Sequence, residues 1–254
     1  MSYPSTDLPG VNTALRPEAA PGWLRPVVDA VHHGHASAAL ERELHERYKE
    51  DDPSKRAAVL MLLASREAST SDAETLPGDA SVLLTHRSPR LRSHSGQIAF
   101  PGGRVDPGDI DIVDCALREA WEETGLDRRS VTPLAALDEV QIRPTGNPVH
   151  PIVAHWDNEV PVGVIDPMEA DEVFLAPLSE LILPDNRITV SRGLWTGPAF
   201  LINDYLVWGF TGGLLSVMIQ EAGWEQPWDR GHVVPLEEAL ATTRNNERWG
   251  RALP

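Results

Sequence analysis

The spacing of apolar positions changes from segment to segment along the chain, and that spacing sketches the elements. Trp23, Leu24, Val27, Val28 and Val31 recur at helical intervals and predict an N-terminal helix. Residues 37–48 predict a second helix, charged on most sides. Residues 57–64 form the longest unbroken apolar run and read as a short buried strand. A polar stretch, 65–79, holds a Pro77-Gly78 turn and reads as a connecting loop. Residues 81–85 and 97–100 read as strands, the second ended by Pro101-Gly102-Gly103. Residues 109–124 predict a helix stopped by Gly125. Strands are expected at 131–140 and 149–156, and a turn, a short strand and a short helix within 169–183. Leu206, Phe210, Leu214, Val217 and Met218 make 205–222 a core-packing helix. From Glu225 onward no pattern emerges. Strands and helices mix without a regular βαβ alternation, so a doubly wound fold is not expected.

Length and composition narrow this sketch. At roughly 150 residues per domain, 254 residues suit one large domain with extensions, long enough for a sizeable core. Residues 1–21, rich in Pro, Ser, Thr and Gly, read as a poorly ordered arm. The expected organisation is an arm and helical extension at 1–50, a main domain at 51–225 and a tail at 226–254. Cys115 is the one cysteine, so no disulfide can form within the chain, as suits a reducing cytoplasm. The first residues have neither the basic nor the apolar region of a secretory signal. The apolar run at 57–64 is far shorter than the ~20 residues of a membrane-spanning helix.

A formal net charge of −16 argues against binding nucleic acid or an anionic membrane through bulk charge. Between His86 and His94, however, stand Arg87, Arg90 and Arg92 and no acid. A basic loop on an acidic protein suits a small anionic ligand. The alternative is three solvated arginines.

The richest chemistry lies on the helix at 109–124. Glu119, Glu122 and Glu123 are spaced i, i+3, i+4 and share one face, while Val113, Leu117, Ala120 and Thr124 form another. Like charges this close repel unless a counter-charge holds them. An oxygen-seeking cation, Mg²⁺ or Mn²⁺, is the natural candidate, and a solvated acidic face is the rival reading. The preceding loop favours the cation. Gly102 and Gly103 allow close backbone approach at the end of a strand, and 106–109 supplies a second turn and a helix cap at Asp109.

The segment Gly103 to Leu126 resembles the Nudix box, G-x5-E-x7-R-E-U-x-E-E-x-G-U, with U a bulky aliphatic residue. Gly103, Arg118-Glu119, Glu122-Glu123 and Gly125-Leu126 match. Asp109 stands where the family has glutamate, Ala120 fills the first aliphatic position, and eight residues rather than seven separate Asp109 from Arg118. The extra residue is expected in the first turns of the helix. The resemblance implies an α/β/α sandwich with a mixed sheet. It also implies metal binding by Glu119, Glu122 and Glu123, with Arg118 orienting a glutamate of the box. The Gly103 carbonyl is a further candidate metal contact. Cys115 is expected to be a small buried residue without a nucleophilic role.

A second stretch resembles the signature of the coenzyme A pyrophosphatase branch, L-L-T-x-R-S-x3-R-x3-G-x3-F-P-G-G. Leu83-Leu84-Thr85, Arg87-Ser88, Arg92, Gly96 and Phe100-Pro101-Gly102-Gly103 fill every specified position. By this resemblance the substrate is coenzyme A or an acyl derivative, cleaved to 3′,5′-ADP and 4′-phosphopantetheine. Arg87 and Arg92 then face phosphates, with Gly102 and Gly103 beside them. Metals held by the glutamates would neutralise the diphosphate and activate the attacking water. The base is Glu122, Glu123 or, on a later loop, Glu172. Two other readings stay open: hydrolysis of ADP-ribose or a dinucleotide cofactor, and a catalytically silent domain that senses a nucleotide. The N-terminal helices are candidates for pairing two copies as a homodimer.

Overall fold

The computed structural model describes residues 8–44, 55–67, 75–142 and 147–247. Its centre is strand β1 (Ala57–Ala64). β1 runs antiparallel to β2 (Ser81–Arg87) at its C-terminal end and to β4 (Gly102–Arg104) at its N-terminal end. On its other side it pairs in parallel with β7 (Asn147–Trp156), from Ala57 opposite Val149 to Leu63 opposite His155. β3 (Ile98–Ala99) and β8 (Ala170–Pro177) pair with β2, while β5 (Val131–Ala136) and β6 (Val140–Ile142) pair with β7. The result is an eight-stranded mixed sheet.

The unbroken apolar run of β1 has a simple cause: both faces of the strand are covered. Side chains alternate across a strand, so each face receives every second residue. Ala58, Leu60, Leu62 and Ala64 pack with Val113, Leu117 and Ala120 of α3 (Ile112–Thr124). Met61 and Leu63 join the opposite core. That core also takes Val27 and Val28 of α1 (Arg25–His32), Leu40 of α2 (His35–Leu44) and Leu214 and Met218 of α5 (Gly209–Glu221). Helices therefore cover both faces, the expected α/β/α sandwich with an N-terminal helical extension. The predicted end of the second helix, 45–48, lies outside the described residues, as does 68–74 of the predicted loop.

Three differences from the sequence reading have physical reasons. The arm is fastened along its described part: Arg16 N–H donates to the Pro133 carbonyl at 2.9 Å, and the Asn12 amide donates to the Arg128 carbonyl at 2.7 Å. Residues 205–207 are strand β11 (Tyr205–Val207), and α5 begins only after Trp208, with Gly209 in the left-handed region at φ 64°. β11 belongs to a second sheet, ordered β11-β10-β9-β12, with β9 (Arg187–Arg192), β10 (Trp195–Ile202) and β12 (Val233–Pro235). β9 alternates Arg187, Thr189 and Ser191 with Ile188 and Val190, the period of a half-buried strand, and the sequence reading assigned this stretch no element. α4 (Leu178–Leu181) follows β8, and α6 (Leu236–Ala241) follows β12, in the stretch without a pattern. Among the described residues no helix is long and apolar enough to cross a membrane.

Candidate active site

The site is built where β4 turns into α3. Asp111, not Asp109, caps this helix: its side chain accepts from the Asp114 N–H at 2.8 Å. The Asp114 carboxylate reaches back to the N–H groups of Ile110 and Gly10, both at 3.0 Å, and pairs with Arg128. Both side chains of that pair are fully buried. The helix thus starts at Ile112, and the extra residue between Asp109 and Arg118 is absorbed in the loop ahead of it rather than in its first turns. At the other end Gly125, at φ 74°, donates to the Trp121 carbonyl and stops the helix as expected.

Freed from capping, Asp109 takes a different task. It accepts a two-pronged grip from Arg118, at 2.8 Å to Oδ1 and 3.0 Å to Oδ2, and the Asp106 N–H at 2.7 Å. Burial opposes its ionisation, but these hydrogen bonds outweigh burial and hold its carboxyl below the usual range. Arg118 is the hub of the site. One terminal nitrogen donates to Glu119 and to Glu122, each at 3.0 Å, and the other also donates to the Arg104 carbonyl at 2.9 Å. The grip of Asp109 raises the pKa of this guanidinium above its already high value.

The three glutamates sit in different settings. The Glu119 carboxylate lies against Gly103, so closely that a Cβ there would fall 2.4 Å from its Cδ. Burial raises the Glu119 pKa, and the nearby Glu122 and Glu169 charges add to it, while Arg118 works against it. Glu122 is open to solvent. Glu123 is 6% exposed. Burial pushes its carboxyl up to about 8, against the pull of Arg87; Glu119 and Glu169 add to the rise, and the Gly102 N–H opposes it. Among the described residues no three acidic, histidine or cysteine side chains converge as a ready cage. Arg118 stands between Glu119 and Glu122, and Glu123 turns toward Arg87 and Gly102. The donors nevertheless fit a hard cation: all are carboxylate oxygens, and the burial and mutual repulsion that oppose ionisation of Glu119 and Glu123 are what a cation would relieve. Cys115 is fully buried, with its thiol 3.7 Å from the Gly103 carbonyl. Burial, then Asp109 and Glu119, push that thiol up to about 12, so it stays protonated at neutral pH and is no nucleophile.

The basic loop arrives beside this helix. β2 ends at Arg87, whose guanidinium stands 3.9 Å from the Glu123 carboxylate. The loop closes on itself through Arg87 N–H to the Gln97 carbonyl and Gly96 N–H to the Arg87 carbonyl, both 2.9 Å. Arg90 and Arg92 lie exposed along it. Ser88 N–H donates to the Glu169 carbonyl at 2.8 Å, tying the loop to the turn that carries Glu169. The Glu169 charge acts on both Glu119 and Glu123, and the sequence reading missed it. Only a strand register could have found it.

Glu172 sits elsewhere. On β8, Val173 and Leu175 face the α3 core, and Phe174 and Ala176 face the other core. Glu172 follows the second set. It accepts from the Tyr205 hydroxyl at 2.6 Å and from Arg244 at 3.1 Å, across the sheet from the other carboxylates.

Known proteins resemble this chain in sequence. A protein of Arabidopsis thaliana, "Nudix hydrolase 15, mitochondrial", is 34% identical over 170 residues, 63% of this chain and 56% of that protein. Nudix hydrolase 3 of Caenorhabditis elegans is 37% identical over 160 residues, 56% of this chain and 66% of that protein. A Citrobacter koseri protein named as the uncharacterized Nudix hydrolase NudL is 36% identical over 157 residues, 56% of this chain and 75% of that protein. The chain thus spans 56% and 66% of the length of the plant and nematode relatives. The sequence pattern of the NUDIX domain matches residues 56–193, from the edge of β1 to the end of β9 and so across the whole carboxylate helix and basic loop, and the chain belongs to this family.

Proposed function

We propose that this protein hydrolyses the diphosphate of coenzyme A or an acyl-CoA, giving 3′,5′-ADP and 4′-phosphopantetheine or its acyl derivative. One observation carries the reading: Arg87 of the basic loop stands 3.9 Å from Glu123 of the carboxylate helix. Groups that suit phosphate oxygens and groups that suit a divalent cation thus lie side by side, as cleavage of a phosphorylated diphosphate requires.

The roles follow from the settings described. Glu119, Glu122 and Glu123 would hold Mg²⁺ or Mn²⁺. When bound, that cation offsets charge on the diphosphate and makes water a better nucleophile. Arg118 positions Glu119 and Glu122 and is itself aimed by Asp109. Arg87 and Arg92 bind phosphate, Arg87 beside the carboxylate helix and Arg92 exposed along the loop. Gly102 supplies an N–H to Glu123, and Gly103 leaves room for Glu119. The base expected at Glu172 is better supplied by Glu123 or Glu169. Glu172 is held by Tyr205 and Arg244 on the other side of the sheet, whereas Glu169 lies within the electrostatic reach of the cluster. Water attacks one phosphorus, the bridging P–O bond breaks, and the attacking water's proton passes to that carboxylate.

The test is a substrate panel with each metal: coenzyme A, acetyl-CoA, ADP-ribose and a dinucleotide cofactor. Rapid release of 3′,5′-ADP from coenzyme A supports the reading. Clear turnover of ADP-ribose or the dinucleotide with coenzyme A untouched overturns the substrate, and binding without any turnover points to a sensing domain.

A further inference from the structure

The signature glycine of the basic loop, Gly96, has a neighbour that the site described so far does not use. It sits at φ +74°, and a Cβ on it would lie 2.2 Å from the Asn245 carbonyl oxygen and 2.8 Å from the Glu247 nitrogen. The backbone near the C-terminal end of the described chain is thus laid directly on the loop. The same Asn245 carbonyl stands 2.9 Å from Nε2 of His86, the buried residue beside Arg87. The other ring nitrogen of His86 bonds Asp171.

The segment is held in place by its own side chains. Asn245 is fully buried, and its amide grips the free edge of β11: it accepts from the Leu206 N–H at 2.8 Å and donates to the Leu206 carbonyl at 3.0 Å. This imitates one rung of a β-ladder. The Glu247 carboxylate accepts from the Trp208 indole at 2.7 Å and from the Gln97 side chain, which lies in the loop itself. Arg244 N–H donates to the Asp204 carbonyl at 2.9 Å, and its guanidinium reaches Glu172. The second sheet, the C-terminal segment and the basic loop are therefore one bonded unit, with Arg87 at its inner end.

We propose that residues 244–247 are a positioning strap for the basic loop, with Asn245 as the positioning residue that sets affinity for substrate phosphates through Arg87. This extends the proposed working unit past residues 51–225, and its link to affinity rests on the function proposed above. The strap touches none of Glu119, Glu122, Glu123 and Glu169, so it governs binding and not the chemical step.

The experiment has two readouts. Hydrogen exchange of the full chain reads the strap without substrate: N245A and E247A should raise exchange at Arg87, Gly96 and Gln97, while E247Q, which keeps an acceptor for Trp208 and Gln97, should stay near wild type. Kinetics with coenzyme A read the consequence: KM about tenfold higher in N245A, the scale of one lost buried hydrogen bond, with kcat within about twofold. Glu247 is only partly buried, so E247A guards against a misfolded N245A. Unchanged loop exchange in both alanine variants overturns the strap, as does a fall in kcat at constant KM. If coenzyme A is not a substrate at all, the function reading fails on wild-type protein, and hydrogen exchange still decides the strap.

Discussion

Replacing Gly103 by alanine should weaken divalent-cation binding while leaving the fold intact. The added Cβ would stand 2.4 Å from Cδ of Glu119 and 2.5 Å from each of its oxygens. Ordinary carbon contacts lie near ~3.5 Å, so the carboxylate must withdraw by roughly 1 Å. Metal–oxygen distances tolerate about ±0.2 Å, which puts a donor displaced that far out of range. Disturbing even a supporting group of a metal site commonly costs about 10–100-fold in affinity, and a loss of at least this size is expected here. The fold should tolerate the change, because Gly103 is not among the positive-φ glycines and the obstacle is the far end of a flexible side chain. Gly102→Ala is the control. Its Cβ would strike the Ala58 carbonyl at 2.3 Å and the Val59 Cα at 2.7 Å, both backbone atoms of β1. The β1–β4 pairing must then open, at about 1–3 kcal/mol or more. Calorimetric titration with Mn²⁺ and a urea denaturation curve on each variant separate the two effects. Wild-type Mn²⁺ affinity in G103A would refute the placement of Glu119 among the donors. Loss of affinity only in step with loss of stability would refute the claim that the clash is local.

Three further outcomes follow from the same geometry. Arg118→Lys should lower kcat/KM about 10–100-fold, because a lysine cannot grip both oxygens of Asp109 while holding Glu119 and Glu122; a steady-state assay with coenzyme A near wild-type rates would contradict this. Asp114→Ala leaves the buried Arg128 without its carboxylate and removes the acceptor for Gly10 and Ile110, so urea denaturation should show a loss of about 3–5 kcal/mol. Glu247 has a carboxyl that burial pushes up to about 7 from 4.5, so between those values the native state binds more protons than the unfolded one. Stability therefore falls as pH rises through that window, and the melting temperature of wild type relative to E247Q should drop between pH 5 and pH 8 on a scale of roughly ±1 unit around these values; a difference that stays flat or rises would count against the burial of this carboxyl.

How much of this was legible in the residues depended on the range of the forces involved. Periodicity found α3 and the shared face of Glu119, Glu122 and Glu123, because a helix fixes neighbours at i, i+3 and i+4 by its own geometry. An unbroken apolar run found β1, because a strand covered on both faces needs no polar alternation. The family signature supplied Arg118, Arg87 and Gly96. The sequence did not disclose that Asp109 leaves the helix to grip Arg118: Asp109 reads as the cap, and the structure gives that place to Asp111, whose side chain accepts from the Asp114 N–H.

The shared helix face of the glutamates and the buried strand at 57–64 were thus settled by local sequence alone, while the layered α/β class came from the family resemblance. What the tertiary structure decided is which distant groups meet them. Glu169, in the turn ahead of β8, reaches the cluster because β8 pairs with β2, whereas Glu172, inside the strand, shares the opposite face with Phe174 and Ala176 because side chains alternate along a strand. Arg87 reaches Glu123 because β2 ends beside the helix, and Gly96 needs to be glycine because residues 245–247 lie on it. Contacts between segments this far apart in the chain leave no period in it, and they become visible only when the sheet brings the segments together.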